Sequence, residues 1–293
     1  MLVNKFSIDN HLQFRDDPAG FIRAILVHDS GASTELFLYG AHITSWKTPE
    51  SGEQLFVSRE VIVEKDVPIR GGIPLIFPQF GPGLLVRHGF ARIHFWDVVE
   101  SGISDRNEVF IKLRLGSIPE IFAIWPHQFV IEFTISLGES LTTSLRVLNE
   151  TETPFSFTSA LHTYFAVEDV RECCVEGLYG CEYIDTVHKS RRDIDADHQL
   201  HIFEMIDRIY LNTPRVLILH DLKNKRHITI KKVGFKDAVV WNPWYEGAQL
   251  INDLGDNEYL SMICVEAAHY EPAITLAGGE FWVGVQVLHC NQE

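Results

Sequence analysis

The sequence is poor in the markers that announce a chemistry. Its 14 histidines and five cysteines form no HxH, HExxH or CxxC group, so no zinc-type ligand spacing is present and no metal is expected. No GxGxxG, GxxxxGK[ST] or GxSxG occurs, which removes the usual grounds for dinucleotide, nucleotide or serine-hydrolase chemistry; no cofactor is expected. Basic residues are scarce: 25 Lys and Arg against 40 Asp and Glu leave a net charge of -15, without the footprint that nucleic acid or an anionic membrane requires. No stretch approaches 18 uncharged apolar residues, and the opening MLVNKFSIDN holds no signal-peptide core, so no membrane partner is expected. The cysteines, Cys173, Cys174, Cys181, Cys264 and Cys290, are odd in number and lack a disulfide-scaffold spacing, which reads as free thiols in a cytoplasmic protein.

Repeats, low-complexity tracts and Pro/Ser linkers are also missing, so residues 1–293 are expected to form one domain and to act as a monomer. A last absence is local. The stretch Arg70–Trp96, RGGIPLIFPQFGPGLLVRHGFARIHFW, has three arginines, two histidines, five glycines and three prolines but no Asp or Glu. At the chain's average, about four carboxylates would fall in Val67–Trp96, and none does. A Gly- and Pro-rich loop cleared of negative charge and supplied with Arg suits an anionic or polyhydroxylated ligand.

What the chain does contain is strand periodicity. Val109, Ile111, Leu113 and Leu115 alternate with Phe110, Lys112 and Arg114; Phe129–Leu137 repeats the pattern, and Gly138, Glu139 and Ser140 turn it into Leu141–Val147 as a hairpin. Further alternating runs are Glu35–Tyr39, Val216–His220 with Arg226–Lys231, Ala238–Trp241 and Phe281–Val287. Helical signals are few and short, Asp256–Met262 being the clearest, and His188–Gln199 reads as a long surface loop. The fold class expected is all-β, a large antiparallel β-sandwich with few short helices.

Four groups of residues suit chemistry. Arg70 leads Gly71 and Gly72 into a Pro-bracketed run ending at Gln79, a backbone made for close approach; a buried crossing loop with a surface cation would look the same. His88 and Arg92 in HGFAR share a face if the segment is extended, and Arg87 beside them is either solvent-facing or a second anion contact. His162 lies among Ala160, Leu161, Tyr164 and Phe165, sharing a strand face with Tyr164; it suits a general acid or base, or a satisfied core histidine. Glu266 follows the apolar run Met262–Val265, as a base raised by burial or as a salt-bridged strand end. Asp207 and the aromatic DAVVWNPW, Asp237–Trp244, would suit sugar hydroxyls and a sugar's C–H face. Pairing of Asp207 with Arg208, and burial of Trp241 and Trp244 in the core, are the structural alternatives.

With RGGIPLIFPQFG, HGFAR, LHTYF, DRIY, DAVVWNPW and CVEAA in this order over roughly Gly31 to Leu288, the chain resembles the glucose-6-phosphate 1-epimerase branch of the aldose 1-epimerase (galactose mutarotase-like) family. The resemblance implies an isomerase interconverting α and β anomers of hexose 6-phosphates by metal-free acid–base ring opening. It implies His162 as general acid and Glu266 as general base. Arg70 and Arg92 would hold phosphate, Gln79 and His88 would line the sugar site, and Asp207 would bind a hydroxyl. Where the family usually has small polar residues after HGFAR, this chain has Ile93 and His94. That leaves open whether His94 serves as a donor or the preference for phosphate is weaker. Two other functions stay in view: mutarotation of non-phosphorylated aldoses, and a carbohydrate-binding module without catalysis.

Overall fold

The computed structural model describes residues 5–292. Five strands, β1 (Leu12–Asp16), β2 (Ile22–Val27), β3 (Ser33–Phe37), β4 (His42–Thr48) and β5 (Gly52–Glu53), form an antiparallel meander. The short β6 (Leu75–Ile76) follows the glycine-rich segment. Next come β7 (Asp97–Ile103), β8 (Val109–Gly116), helix α1 (Pro119–Ile124), β9 (Phe129–Leu137) and β10 (Leu141–Asn149). In the β9–β10 hairpin Leu137 pairs with Leu141, which makes Gly138–Ser140 its turn.

The second half comprises β11 (Phe155–Leu161), β12 (Tyr164–Ala166), β13 (Cys173–Glu176), β14 (Glu182–Asp185), β15 (Arg191–Ile194), β16 (Gln199–His201) and β17 (Ile206–Tyr210). It continues through β18 (Val216–Asp221), β19 (Arg226–Val233), β20 (Asp237–Asn242), helix α2 (Trp244–Ala248), β21 (Met262–Leu276) and β22 (Phe281–Gln292). A nine-stranded sheet has the order β16-β13-β18-β19-β22-β10-β9-β8-β7, and an eight-stranded sheet runs β15-β14-β17-β20-β21-β11-β6 with β12 also on β21. All of this strand pairing is antiparallel, and helix is confined to short segments. Among the described residues no helix is long and apolar enough to cross a membrane.

Alternation explains the sandwich. Val109, Ile111, Leu113 and Leu115 of β8, and Phe129, Ile131, Phe133, Ile135 and Leu137 of β9, all point into one core cluster. From the facing sheet Ile263, Val265 and Ala267 of β21 and Ala238 and Val240 of β20 enter the same cluster. Because strand side chains alternate, the intervening residues of β20 and β21 must face the other way. That outer face of the eight-stranded sheet is where the candidate site lies.

Two expectations need correction. Residues 188–199 are not one loop: β15 pairs with β14 from Glu182↔Ile194 to Asp185↔Arg191 and extends the sheet edge. HGFAR is not extended: His88 and Gly89 both have φ of +68° and a 3-10 turn follows at Ala91–Ile93. The short helical turn expected at Asp256–Met262 is present as a 3-10 turn, Glu258–Ser261, just before β21.

Candidate active site

Arg70 is fixed by the backbone after it. A Cβ on Gly71 would lie 2.3 Å from the Phe56 carbonyl oxygen, and one on Gly72 would lie 2.1 Å from that of Ile43. Glycine is therefore required for this segment to pack against its neighbours. The packing aims Arg70 at Asp253, with Nε to Oδ1 at 3.1 Å, and at the Tyr164 hydroxyl, Nη1 to Oη at 3.2 Å. Arg70 is thus a partly buried cation already holding one carboxylate.

Arg92 has no such partner. Its Nη2 donates to the Arg87 carbonyl at 2.8 Å, while the buried Nε finds no acceptor. Burial, with Arg70 and Arg87 nearby, lowers its pKa to about 10. The turn that carries it depends on Gly89, where a Cβ would meet the Phe77 carbonyl at 2.2 Å. His88 is buried, its ring edge-to-face with Phe80 at 5.0 Å and with His162 at 5.6 Å. Burial and then His162 and the arginines push its pKa far down, so the ring is neutral.

Gln79 differs from its expected role. Its amide donates to the carbonyls of Gly81 at 3.1 Å and Leu85 at 3.3 Å, and its oxygen accepts from the Leu85 N–H at 3.1 Å. It shapes the loop 79–88 from within. His94 turns back on its own 3-10 turn, Nδ1 lying 2.9 Å from the Phe90 carbonyl. In the neutral ring that bond uses the N–H, so the free Nε2 can accept but not donate to an anion.

His162 sits at the break between β11 and β12, stacked on Tyr164 at 4.8 Å and meeting Trp241 edge-on at 5.9 Å. The break is held from the opposite sheet: Gln286 of β22 donates to the buried Thr163 hydroxyl at 3.0 Å. Glu266 is not at a strand end but five residues into the 15-residue β21. It faces outward between the core residues Val265 and Ala267. Its Oε1 lies 3.3 Å from His162 Nε2, yet neither carboxylate oxygen nor His162 Nδ1 has a hydrogen bond. The two groups are close but not aligned.

Burial, and then the charge of Asp207, raise the Glu266 pKa well above the ordinary carboxylate range. Burial, aided by Arg92 and Arg70, lowers that of His162 to about 3. Asp207, opposite Trp241 on β17, is itself raised by burial. It does not pair with Arg208, which turns instead toward Asp185 and Asp195. Among the described residues no three His, Cys, Asp or Glu side chains gather as metal ligands.

The sequence matches the aldose 1-epimerase family over residues 23–289. The chain belongs to this family. It is 38% identical to a Cenchrus ciliaris protein provisionally named glucose-6-phosphate 1-epimerase, over 91% of this chain and 84% of that one. An Escherichia coli K12 protein of the same provisional name is 32% identical, over 84% and 82% of the two chains. A solved structure of a provisionally assigned mutarotase from Salmonella typhimurium, YeaD, superposes with a TM-score of 0.91 at 27% identity, covering 98% of this chain and 96% of that one.

In this member of the family His162 lies between Glu266, 3.3 Å away, and His88, 5.6 Å away ring to ring, and stacks on Tyr164, which Arg70 contacts. Two participants were not identified from sequence. Asp253 lies 183 residues from Arg70 in a polar turn, and no local pattern connects them. Gln286 had a readable signal: it is a polar residue at a position whose strand neighbours Gly284 and Leu288 are buried.

Proposed function

We propose that the chain is a hexose-6-phosphate mutarotase that equilibrates the α and β anomers of glucose 6-phosphate. The observation that carries the reading is the Glu266–His162 pair, buried, 3.3 Å apart and unbonded. A buried polar group without partners is costly, and such cost concentrates where chemistry needs it. Burial drives both groups to their neutral forms, a protonated Glu266 and an unprotonated His162. The pair therefore holds one transferable proton.

With that proton on His162, the Glu266 carboxylate accepts the hydroxyl proton of the anomeric O1 while His162 protonates the ring oxygen. The C1–O5 bond breaks and an open-chain aldehyde forms. Rotation about C1–C2 presents the other carbonyl face, and the same groups in exchanged roles close the ring. No net proton is consumed. At the other side Arg70 and Arg92 share the single carboxylate of Asp253, an excess of positive charge that suits a phosphate dianion. Its binding energy orients the reacting end. The names of the relatives support the same substrate.

Anomer-exchange NMR tests the proposal: the protein should accelerate α/β exchange of glucose 6-phosphate above the buffer rate, and no acceleration with phosphorylated or free hexoses would sink it. The orientation of His94 favours keeping one second reading, a mutarotase of unphosphorylated aldoses. Arg92→Ala separates them, raising KM about 10-fold or more for glucose 6-phosphate while leaving glucose turnover unaltered if phosphate is the handle.

A further inference from the structure

His162 owes its place to a turn of three residues. The Thr163 N–H donates to the Leu161 carbonyl at 2.9 Å, which closes a γ-turn with His162 at its apex. The turn is tied down on either side: the His162 N–H donates to the Pro74 carbonyl at 3.0 Å, and the Thr163 carbonyl accepts from the Val265 N–H at 3.3 Å. The histidine ring leaves the apex toward Tyr164, Trp241 and Glu266 on the outer face. The Thr163 side chain enters the sandwich, where it is fully buried.

Inside, Thr163 meets the opposite sheet at Gln286, itself buried. Gln286 Nε2 donates to Thr163 Oγ1 at 3.0 Å, and its Oε1 lies 3.4 Å from the same oxygen. Thr163 Oγ1 is also 3.4 Å from the Leu161 carbonyl at the start of the turn, so the hydroxyl takes a hydrogen bond from Gln286 and turns its own proton to one of these two oxygens. The buried polar neighbours of Gln286 in register are engaged elsewhere. Thr143 of β10 donates to the Gln286 backbone carbonyl at 3.4 Å, and Lys232 of β19 donates to the Phe235 carbonyl at 3.0 Å. The side-chain amide of Gln286 is thus directed at Thr163.

A buried amide and hydroxyl must be desolvated, and replacing such a matched pair by apolar groups of the same shape is often neutral or stabilising. What the pair supplies is a defined geometry. We propose that Gln286 and Thr163 are positioning residues of the mutarotase reaction, an inference that rests on the function proposed above: their hydrogen bond inside the sandwich fixes the turn that holds His162 beside Glu266 on the outer face. Neither side chain reaches the reacting atoms; both act through the backbone of the turn. A misplacement of about 1 Å at a catalytic group can cost about 100-fold in rate, so the pair governs kcat rather than KM.

The test is anomer exchange of glucose 6-phosphate by T163V/Q286M, which removes both polar partners at nearly constant volume, and by T163S, which keeps the hydroxyl. The double variant should keep a urea midpoint close to that of wild type, while its kcat falls about 10- to 100-fold with KM within about twofold. T163S should keep kcat within about threefold of wild type. Wild-type kcat in the double variant, an equal loss in T163S, or a loss that only follows the fraction of unfolded protein would each overturn the proposal. Should the double variant not fold, T163V against T163S decides the point: a lower kcat per folded molecule in T163V supports the proposal, and equal values refute it. If the wild type exchanges no anomers, the mutarotase reading itself fails, and proton NMR of the His162 ring, which the Tyr164 ring stacks on at 4.8 Å, still decides the positioning. Ring resonances displaced in T163V/Q286M support it, and unchanged resonances refute it.

Discussion

Glu266 is a carboxyl group that its surroundings keep from ionising, and this has a measurable consequence for both rate and stability. Glu266→Gln and His162→Asn should each lower anomer exchange by about 10²- to 10⁴-fold, the usual worth of a positioned acid or base; near-normal rates would reject the assigned roles. The sign of the pH effect follows from the raised pKa of Glu266. Its contribution to stability is present below its unfolded value and is lost as pH rises through the folded one. Glu266→Gln, which cannot ionise, should therefore melt no lower than wild type at pH 7 and should lose less stability toward pH 10. The residues of the candidate site were singled out by type: an isolated acid after an apolar run, a histidine among aromatics, arginines in an acid-free window. Asp253 was not, because only the folded chain brings it to Arg70.

Among the elements, β21 has two independent faces, and mutations on them should behave differently. Ile263→Ala, on the core face, should cost about 2–5 kcal/mol in urea unfolding while exchange at 25 °C changes little; a comparable loss of rate would mean the faces are coupled. Gly89→Ala combines a left-handed backbone with a Cβ 2.2 Å from the Phe77 carbonyl, and should cost about 2–4 kcal/mol and displace His88 and Arg92. Strands β8, β9 and β10 were readable because their alternation is uninterrupted. HGFAR was misread as extended because its turn is imposed by the approach of Phe77, a contact 11 to 15 residues away that no local periodicity reports. β15 was hidden for a related reason: an exposed edge strand of charged residues has the composition of a loop.

For the whole molecule, acid is the informative stress. Burial lowers the pKa of His42 to about 4 and of His162 to about 3, and moves His88 the same way. The unfolded chain protonates these rings near pH 6.5 while the native one refuses, so each removes stability as pH falls below that value. Between pH 6.5 and 4.5 Glu266 acts oppositely, holding a proton the unfolded chain has lost. Counting these four groups alone, the net difference approaches two protons, a loss of about 3 kcal/mol per pH unit, measurable by urea titrations; Asp207, raised like Glu266, offsets part of it, while His127 and His269, lowered by burial, add to it. The sandwich itself was visible in the sequence, since period-two runs dictate sheets with one buried face. The pairing order β16-β13-β18-β19-β22-β10-β9-β8-β7 was not, because it joins strands distant in the chain. The interleaving of outward-facing and core residues along β21 also bears on heredity. Substitutions can alter Cys264, Glu266 or Ala268 one at a time, but inserting or deleting a single residue within Met262–Ala268 would exchange outward-facing for core-facing positions up to the register shift opposite Phe157–Ser159. Descendants of this chain can thus change length in their loops and at that irregularity, while along Met262–Ala268 they are held to replacing one letter by another.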